Sequence, residues 1–523
     1  MSFPLLTATA ALPAIGAIVT AAVPAARRTA AKWLALLFSL GTLVLAGIVF
    51  ARFEPGGDRY QLTESHSWIA DFGVRYELGV DGIGVALLAL TALLIPFVIV
   101  AGWHDADPLE TKSSRWRPTQ GFFALILMVE AMVILSFEAT DVFLFYILFE
   151  AMLIPMYFLI GGFGDRAHSG SDENAAAQRS YAAVKFLLYN LAGGLIMLAA
   201  VIGLYVVAGS FSLAEIAEAR ANGSLEMATS TERWLFLGFF FAFAVKAPLW
   251  PLHTWLPNAM GEATAPVAVL ITAIVDKVGT FAMLRFCLQL FPEASKWATP
   301  VVLVLALISI VYGALLAVGQ RDIKRLIAYA SISHFGFIIL GIFAMTSQGQ
   351  SGATLYMVNH GISTAALLLV AGFLITRRGS RLIADYGGVQ KVAPVLAGTF
   401  LIGGLATLSL PGLAPFVSEF LVLVGTFSAY PVAGIIATSG IVLAAIYVLV
   451  LYQRTMTGPV KASVRGMPDL RARELVVALP LIALLIFLGV FPKPLTEVVN
   501  PGVQHTMNDV QKKDPQPEVE AAK

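Results

Sequence analysis

Residues 241–257 read Phe-Ala-Phe-Ala-Val-Lys246-Ala-Pro248-Leu-Trp-Pro251-Leu-His253-Thr-Trp-Leu-Pro257, an apolar helical stretch that carries one lysine and then several prolines. Proline lacks a backbone N–H and clashes with the carbonyl four residues earlier, so Pro248 and Pro251 are expected to free the carbonyls of Ala244 and Ala247. At membrane depth, non-helical backbone survives only where protein buries it or where it lines a watery cavity. The stretch therefore predicts a membrane helix that is broken beside a buried lysine.

The composition agrees with a membrane location for this stretch. Of the 523 residues, 58% are apolar and 13% are charged, about half the charge of a soluble protein, and the mean hydropathy is +0.81. A net charge of +1 excludes a nucleic-acid binder that works by bulk positive charge. The single cysteine, Cys287, excludes a disulfide scaffold, an iron–sulfur cluster and a cysteine-based zinc site on this chain alone. The sequence predicts an all-α, polytopic membrane protein.

Windows of about 20 mostly apolar residues, the length that crosses a bilayer, predict about fourteen membrane helices. They lie at about 3–24, 30–51, 82–103, 119–138, 141–162, 180–208, 232–254, 264–290, 298–318, 323–345, 352–376, 392–429, 432–453 and 472–492. The first stretch lacks the basic leading segment of a signal peptide, and Arg27 and Arg28 follow it, so we expect a retained helix.

Basic residues orient these helices. Of the 34 lysines and arginines, about twice as many fall in the loops of one side as in those of the other, and the richer side is expected inside. The inside loops hold Arg27, Arg28, Lys32, Lys112, Arg115, Arg117, Arg166, Arg179, Arg321, Lys324, Arg325, and the basic residues of 377–391 and 454–473. Both termini are then expected outside.

A few ionisable residues fall within the predicted helices. They are Glu130, Glu150, Lys246, Asp276, Lys277, His334, His360 and Glu419. Each buried charge costs about 2.5–3.5 kcal/mol on insertion scales, and burial drives acids and bases toward their neutral forms. Alternating Glu, Lys and His over successive helices predicts a lateral proton or ion relay. The alternative is a set of ion pairs that only hold helices together.

The twelfth predicted helix, 392–429, has the same kind of proline break beside a charged residue as the seventh, 232–254. Leu408-Ser-Leu-Pro411-Gly412-Leu-Ala-Pro415-Phe-Val-Ser-Glu419 interrupts a span that is too long for one straight crossing. Lys246 is expected at the end of a first half-helix and Glu419 in the first turn of a second one, where the helix dipoles favour a cation and an anion, respectively. Helices 4–8 and 9–13 would then be two inverted five-helix repeats, each broken in its fourth member.

The expected segments are 1–117 with three helices, 118–297 and 298–456 as the two repeats, and 457–523 with helix 14 and a polar tail. Several motifs within them match a known family. They are Asp81-Gly-Ile, Phe149-Glu150-Ala-Met-Leu-Ile-Pro155-Met-Tyr, Lys246–Pro257, Asp276-Lys277-Val-Gly, Gln320–His334 and Leu410–Glu419. On these residues the chain resembles the antiporter-like membrane subunits of complex I, the proton-pumping NADH:quinone oxidoreductase.

Within that family, Glu419 where other members have lysine, and the absence of a long lateral helix after helix 14, indicate the bacterial M type (chain 4 type). The resemblance implies that Glu150 pairs with Lys246, that Lys277 is the central lysine, that His334 and His360 connect the line, and that Glu419 is the exit-side carboxylate. It also implies that NADH, FMN, iron–sulfur clusters and quinone belong to partner subunits, with no cofactor or metal on this chain. Other membrane subunits, including the L and N types, and lipids are the implied partners, with no nucleic acid.

Three residues are secondary relay candidates: Glu130 and Asp276 from the set above, and His253. Glu130 is either a relay member or the partner of Lys185. Asp276 stands where family members often have an apolar residue, and it either faces another helix or holds a second proton, because adjacent helical residues point about 100° apart. Pro415 replaces an expected glycine, which would stiffen the second break.

Three functions compete. The first is a proton-translocating subunit of complex I without a redox centre of its own, in the bacterial inner membrane. The second is a subunit of a secondary Na⁺/H⁺ antiporter, and the third is a spacer whose charges only lock subunits together.

Overall fold

The computed structural model describes residues 3–107, 119–164 and 172–515. Lys112, Arg115, Arg117 and Arg166, which enter the orientation argument, lie outside the described residues. Among the described residues, ten α-helices form the first half: α1 Leu5–Ala22, α2 Arg28–Arg52, α3 Gly82–Ala101, α4 Thr119–Glu138, α5 Val142–Ala151, α6 Leu153–Phe163, α7 Asp172–Ala208, α8 Leu213–Ala221, α9 Thr229–Lys246 and α10 Leu256–Glu262.

The described part of the second half adds ten more α-helices. They are α11 Ala265–Val269, α12 Asp276–Ala282, α13 Pro292–Val318, α14 Ile323–Ala344, α15 Ser347–Arg378, α16 Pro394–Thr407, α17 Ala414–Ala429, α18 Pro431–Met456, α19 Ala472–Val490 and α20 Lys493–Asp509. Aspartates begin several of them: Asp81, Asp141 and Asp322 accept hydrogen bonds from the first-turn N–H groups of α3, α5 and α14. These caps satisfy donors that have no partner within the helix.

Within the described residues, 12 helical stretches are long and apolar enough to cross a membrane. The two remaining predicted spans, at about 232–254 and 392–429, are the two that contain the breaks. The first is α9, an irregular segment and α10, and the second is α16, an irregular segment and α17. The predominantly helical membrane fold and both interruptions are confirmed, whereas the count of fourteen and the inverted repeats stay predictions.

Three helical stretches form the centre of the molecule. The continuous stretch Ala265–Leu288, α14 and α15 are almost completely buried. Helices α2, α7, α13 and α18 lie outside them and expose large apolar side chains such as Leu37, Val206, Val301 and Val442. In a bilayer such side chains face lipid or another apolar helix, so the ionisable residues are held in the middle.

The stretch Ala265–Leu288 is not uniformly α-helical. π-helical segments Leu270–Val275 and Met283–Leu288 flank α12. A π-helical turn is wider than an α-helical turn, and such turns are frequent at functional sites. They rotate α12, with its two ionisable residues, relative to a regular helix.

Several elements were missed by the sequence interpretation, among them the short helix α8. An antiparallel hairpin, β1 Gln61–Ile69 and β2 Val74–Val80, lies between α2 and α3. The segment expected to be only a polar tail forms α20, whose residues Leu495, Val499 and Val503 are buried. There Gly82 allows a close approach, because an added Cβ would lie 1.8 Å from the carbonyl oxygen of Val498.

Candidate functional site

The first candidate lysine lies where the break in the first half begins. Helix α9 ends at Lys246, which confirms the predicted half-helix with a cation at its C-terminal end, where the dipole is favourable. The Nζ atom of Lys246 donates to the carbonyl oxygen of Phe149 at 2.7 Å and lies 3.6 Å from the centroid of the Phe149 ring. An ammonium over an aromatic face gains from a cation–π interaction.

The broken backbone after Lys246 finds partners. The Leu249 N–H donates to the carbonyl of Ala244 at 3.0 Å, and the indole N–H of Trp255 donates to the carbonyl of Val245 at 3.0 Å. Pro248 thus removes the regular helical partner of the Ala244 carbonyl, as predicted, and the N–H of the next residue, Leu249, replaces it. Buried carbonyls generally find such partners.

Glu150 and Lys246, which the resemblance implies are a pair, do not touch each other in this structure. Both residues are described, and their charged atoms make no ion-pair contact; the ammonium of Lys246 instead reaches the carbonyl of the residue before Glu150. Glu150 still acts electrostatically on Lys246 at longer range. Its carboxylate lies against Gly194 of α7, where an added Cβ would be 1.8 Å from Glu150 Oε1. The pairing implied by the resemblance therefore stays a prediction, and in this structure it involves no direct contact between the two charged groups.

The central lysine and the two histidines come together as expected. Lys277 Nζ lies 2.7 Å from His360 Nδ1 and donates to the carbonyl of Thr272 at 2.6 Å. The rings of His360 and His334 lie 5.1 Å apart. His360 Nε2 is 3.1 Å from the Thr364 hydroxyl. Helices α12, α14 and α15 therefore bring three exchangeable groups into one buried cluster.

Glu419 stands at the other break, between α16 and α17. Its Oε2 atom accepts hydrogen bonds from the hydroxyls of Tyr356, at 2.9 Å, and of Ser409. Because α17 begins at Ala414, Glu419 lies in the second turn rather than the predicted first turn. Pro415 occupies the start of α17, so the break itself is formed by residues 408–413.

The secondary candidates lie apart from these contacts. Among the described residues, both carboxylate oxygens of Glu130 and of Asp276 lack a hydrogen-bond partner, as does His253 Nδ1. Lys185 donates to Asn258 Oδ1 at 3.1 Å, so it is not the partner of Glu130. The ring of His253 packs 5.2 Å from that of Tyr312.

Tyr356 and Ser409 are site residues that sequence reasoning missed. The Tyr356 ring lies 5.9 Å from that of His334, so this tyrosine connects the histidines to Glu419. Ser409 has φ +59° within the break, which turns its hydroxyl toward Glu419. The sequence signalled them only by position: Tyr356 lies within the predicted span 352–376, which is part of α15, and Ser409 lies two residues before Pro411.

Comparison with known proteins identifies the family. Residues 139–445 match the model described as "NADH:quinone oxidoreductase/Mrp antiporter, TM". The chain is 55% identical to NADH-quinone oxidoreductase subunit M of Mycobacterium tuberculosis, over 97% of this chain and 95% of that protein. It is 37% identical to the protein of the same name from Rhodobacter capsulatus, over 95% of each chain.

A solved structure gives the same result. A chain of respiratory complex I from Thermus thermophilus with bound NADH matches with a TM-score of 0.84 and 30% identity, over 97% of this chain and 99% of that one. The resemblance inferred from the motifs is confirmed. The chain belongs to the NADH:quinone oxidoreductase/Mrp antiporter family of transmembrane subunits.

Proposed function

We propose that the chain is the M-type, proton-translocating membrane subunit of bacterial respiratory complex I. NADH is oxidised and quinone is reduced on other subunits, which also hold the FMN and the iron–sulfur clusters. Full-length relatives that bear the subunit M name favour this function over a secondary Na⁺/H⁺ antiporter. The L- and N-type subunits are the proposed neighbours in the membrane, with lipids around the exposed apolar helices.

One observation carries the proposal: a series of buried contacts runs from Lys277 to Glu419. Lys277 meets His360, the His360 ring meets His334, and Tyr356 lies against His334 and donates to Glu419. Amines, imidazoles, phenols and carboxylates all bind and release protons. Each group can accept a proton from one neighbour and donate one to the next, so a proton is conducted across four helices.

The two broken helices lie at the two ends of the proposed proton path. Lys246 and Glu150 form the proposed uptake end, and Glu419 forms the exit end. The proposed inverted repeats, 118–297 and 298–456, each contribute one broken helix, with the 1–117 and 457–523 segments outside them. With both termini outside, as the basic loops predict, Glu419 releases its proton toward the outer face of the inner membrane.

The decisive experiment removes the amine of Lys246. In membranes that carry the assembled complex, Lys246→Ala should abolish most NADH-driven proton translocation and slow NADH:quinone turnover, since a coupled machine stalls when one charge step is blocked. Lys185→Ala is the matched control, because its ammonium contacts Asn258 outside the line. Normal pumping by an assembled Lys246→Ala complex would contradict the relay, and a failure to assemble would favour the spacer function.

The same assay compares Glu419→Gln with Glu419→Asp. Glutamine can keep a hydrogen bond with Tyr356 but cannot release a proton to the outside, so pumping should fall. Aspartate keeps the exchangeable group and should retain more activity than glutamine. If Glu419→Gln pumps like the unsubstituted complex, then Glu419 is an anchor and the exit lies elsewhere.

A further inference from the structure

The series of contacts has a gap between its two lysines. The ammonium of Lys246 is directed to α5 through the Phe149 carbonyl, whereas that of Lys277 is directed to α15 through His360. Both residues are described, and no hydrogen bond joins one to the other. A proton taken up at Lys246 therefore needs an intermediate group to reach Lys277.

Asp276 lies at the place where such a group is needed. It begins α12, and Gly279, three residues later, lies on the same side of that helix. An added Cβ on Gly279 would be 3.0 Å from the Phe243 carbonyl oxygen and from the Ala247 nitrogen. The side of α12 that carries Asp276 therefore packs against the end of α9, which is where Lys246 lies.

The second lysine approaches the same region of α12. Lys277 Nζ donates to the carbonyl of Thr272, which precedes Asp276 by about one helical turn. The π-helical segment Leu270–Val275 widens this turn. The side chain of Lys277 thus folds back along the helix and toward the side that carries Asp276.

The carboxylate of Asp276 is fully buried, and neither oxygen has a hydrogen-bond partner among the described residues. Its charged neighbours are Lys277 and Lys246, and both act on it electrostatically. A buried carboxylate without hydrogen bonds is costly and demands an explanation. The explanation is that this carboxylate exchanges protons with two neighbouring groups in turn, because fixed hydrogen bonds would hold it in a single protonation state.

We infer that Asp276 carries protons between Lys246 and Lys277. The ammonium of Lys246 gives a proton to the carboxylate, which leaves a neutral amine and a carboxylic acid. The acid then gives that proton to a neutral Lys277, which becomes an ammonium as the carboxylate is restored. This role rests on the proposed function. It supplies the proton transfer between Lys246 and Lys277, which do not contact each other directly.

The test compares Asp276→Asn with Asp276→Glu in inverted membrane vesicles, by measuring the rate of NADH-driven proton translocation. Values are normalised to assembled complex through NADH oxidation by ferricyanide. Asparagine preserves shape but carries no proton, so the transfer should slow by roughly 10²-fold, the lower figure for a positioned acid–base group. Glutamate should restore a measurable part of pumping. Glu138→Gln is the matched control, because Glu138 on α4 is also a buried carboxylate without a hydrogen-bond partner.

Wild-type pumping by Asp276→Asn, or a glutamate variant that pumps no better than asparagine, would overturn the inference. Should the asparagine variant not assemble, Asp276→Leu replaces it, since leucine has a similar shape and leaves no polar atom unpartnered. Lys246→Ala is measured alongside. If it is inactive while Asp276→Asn pumps normally, only the role of Asp276 fails; if both pump normally, the relay itself fails.

Discussion

At the scale of a residue, Gly194 leaves the space that the carboxylate of Glu150 occupies. A Cβ at position 194 would be 1.8 Å from Glu150 Oε1 and 2.2 Å from its Cδ. Those atoms belong to the far end of a flexible side chain, so an alanine would displace the carboxylate rather than the backbone. Alanine also favours helix by about 1 kcal/mol relative to glycine, which helps α7 to form.

We therefore expect Gly194→Ala to leave the complex assembled but to weaken proton uptake, with pumping reduced toward the level of Glu150→Gln. Gly162→Ala is the control, because an added Cβ there meets nothing within 4 Å. Proton translocation in vesicles, normalised to assembled complex, measures both. Unchanged pumping in Gly194→Ala would show that the position of the Glu150 carboxylate does not matter.

At the scale of an element, the break after α9 depends on a side chain for its stability. The indole N–H of Trp255 donates to the carbonyl of Val245, the residue before Lys246, and the Trp255 side chain is completely buried. Trp255→Phe keeps most of the ring volume but leaves this carbonyl without its donor. An unsatisfied buried carbonyl costs about 1–3 kcal/mol.

The expected result of Trp255→Phe is a complex that dissociates at a lower temperature and pumps less, because the end of α9 that holds Lys246 loosens. Trp250→Phe is the matched control, since Trp250 contacts Ser309 through its backbone N–H at 2.9 Å. Thermal dissociation followed on native gels gives the comparison. Equal stability of the two variants would mean that the prolines alone shape the break.

At the scale of the whole molecule, the basic loops predict one orientation in the membrane. The chain has one cysteine, and Cys287 is buried, so single exposed cysteines can be added without removing it. We expect Ser65→Cys, in the hairpin, to react with a membrane-impermeant maleimide in intact cells. Ala462→Cys, between α18 and α19, should react only after permeabilisation; labelling in the reverse order would invert the proposed uptake and exit sides.

The sequence by itself determined the features that are local along the chain. The length of each apolar stretch predicted the spans, and the prolines beside Lys246 and Glu419 predicted the two breaks, since proline acts on the backbone within four residues. The rarity of charge in apolar stretches selected the buried candidates. Helix α20 and the hairpin were not predicted, because they contain too few apolar residues to be distinguished from polar loops.

Only the tertiary structure decided which groups touch. How each helix is rotated about its axis decides which side chains meet. This rotation brings Lys277 to His360, places Tyr356 between His334 and Glu419, and keeps Glu150 apart from Lys246. That rotation is set by packing between helices, by close contacts at glycines such as Gly194 and Gly279, and by the π-helical turns beside α12. None of these is a local property of the chain, because each is fixed by neighbours far away in the sequence.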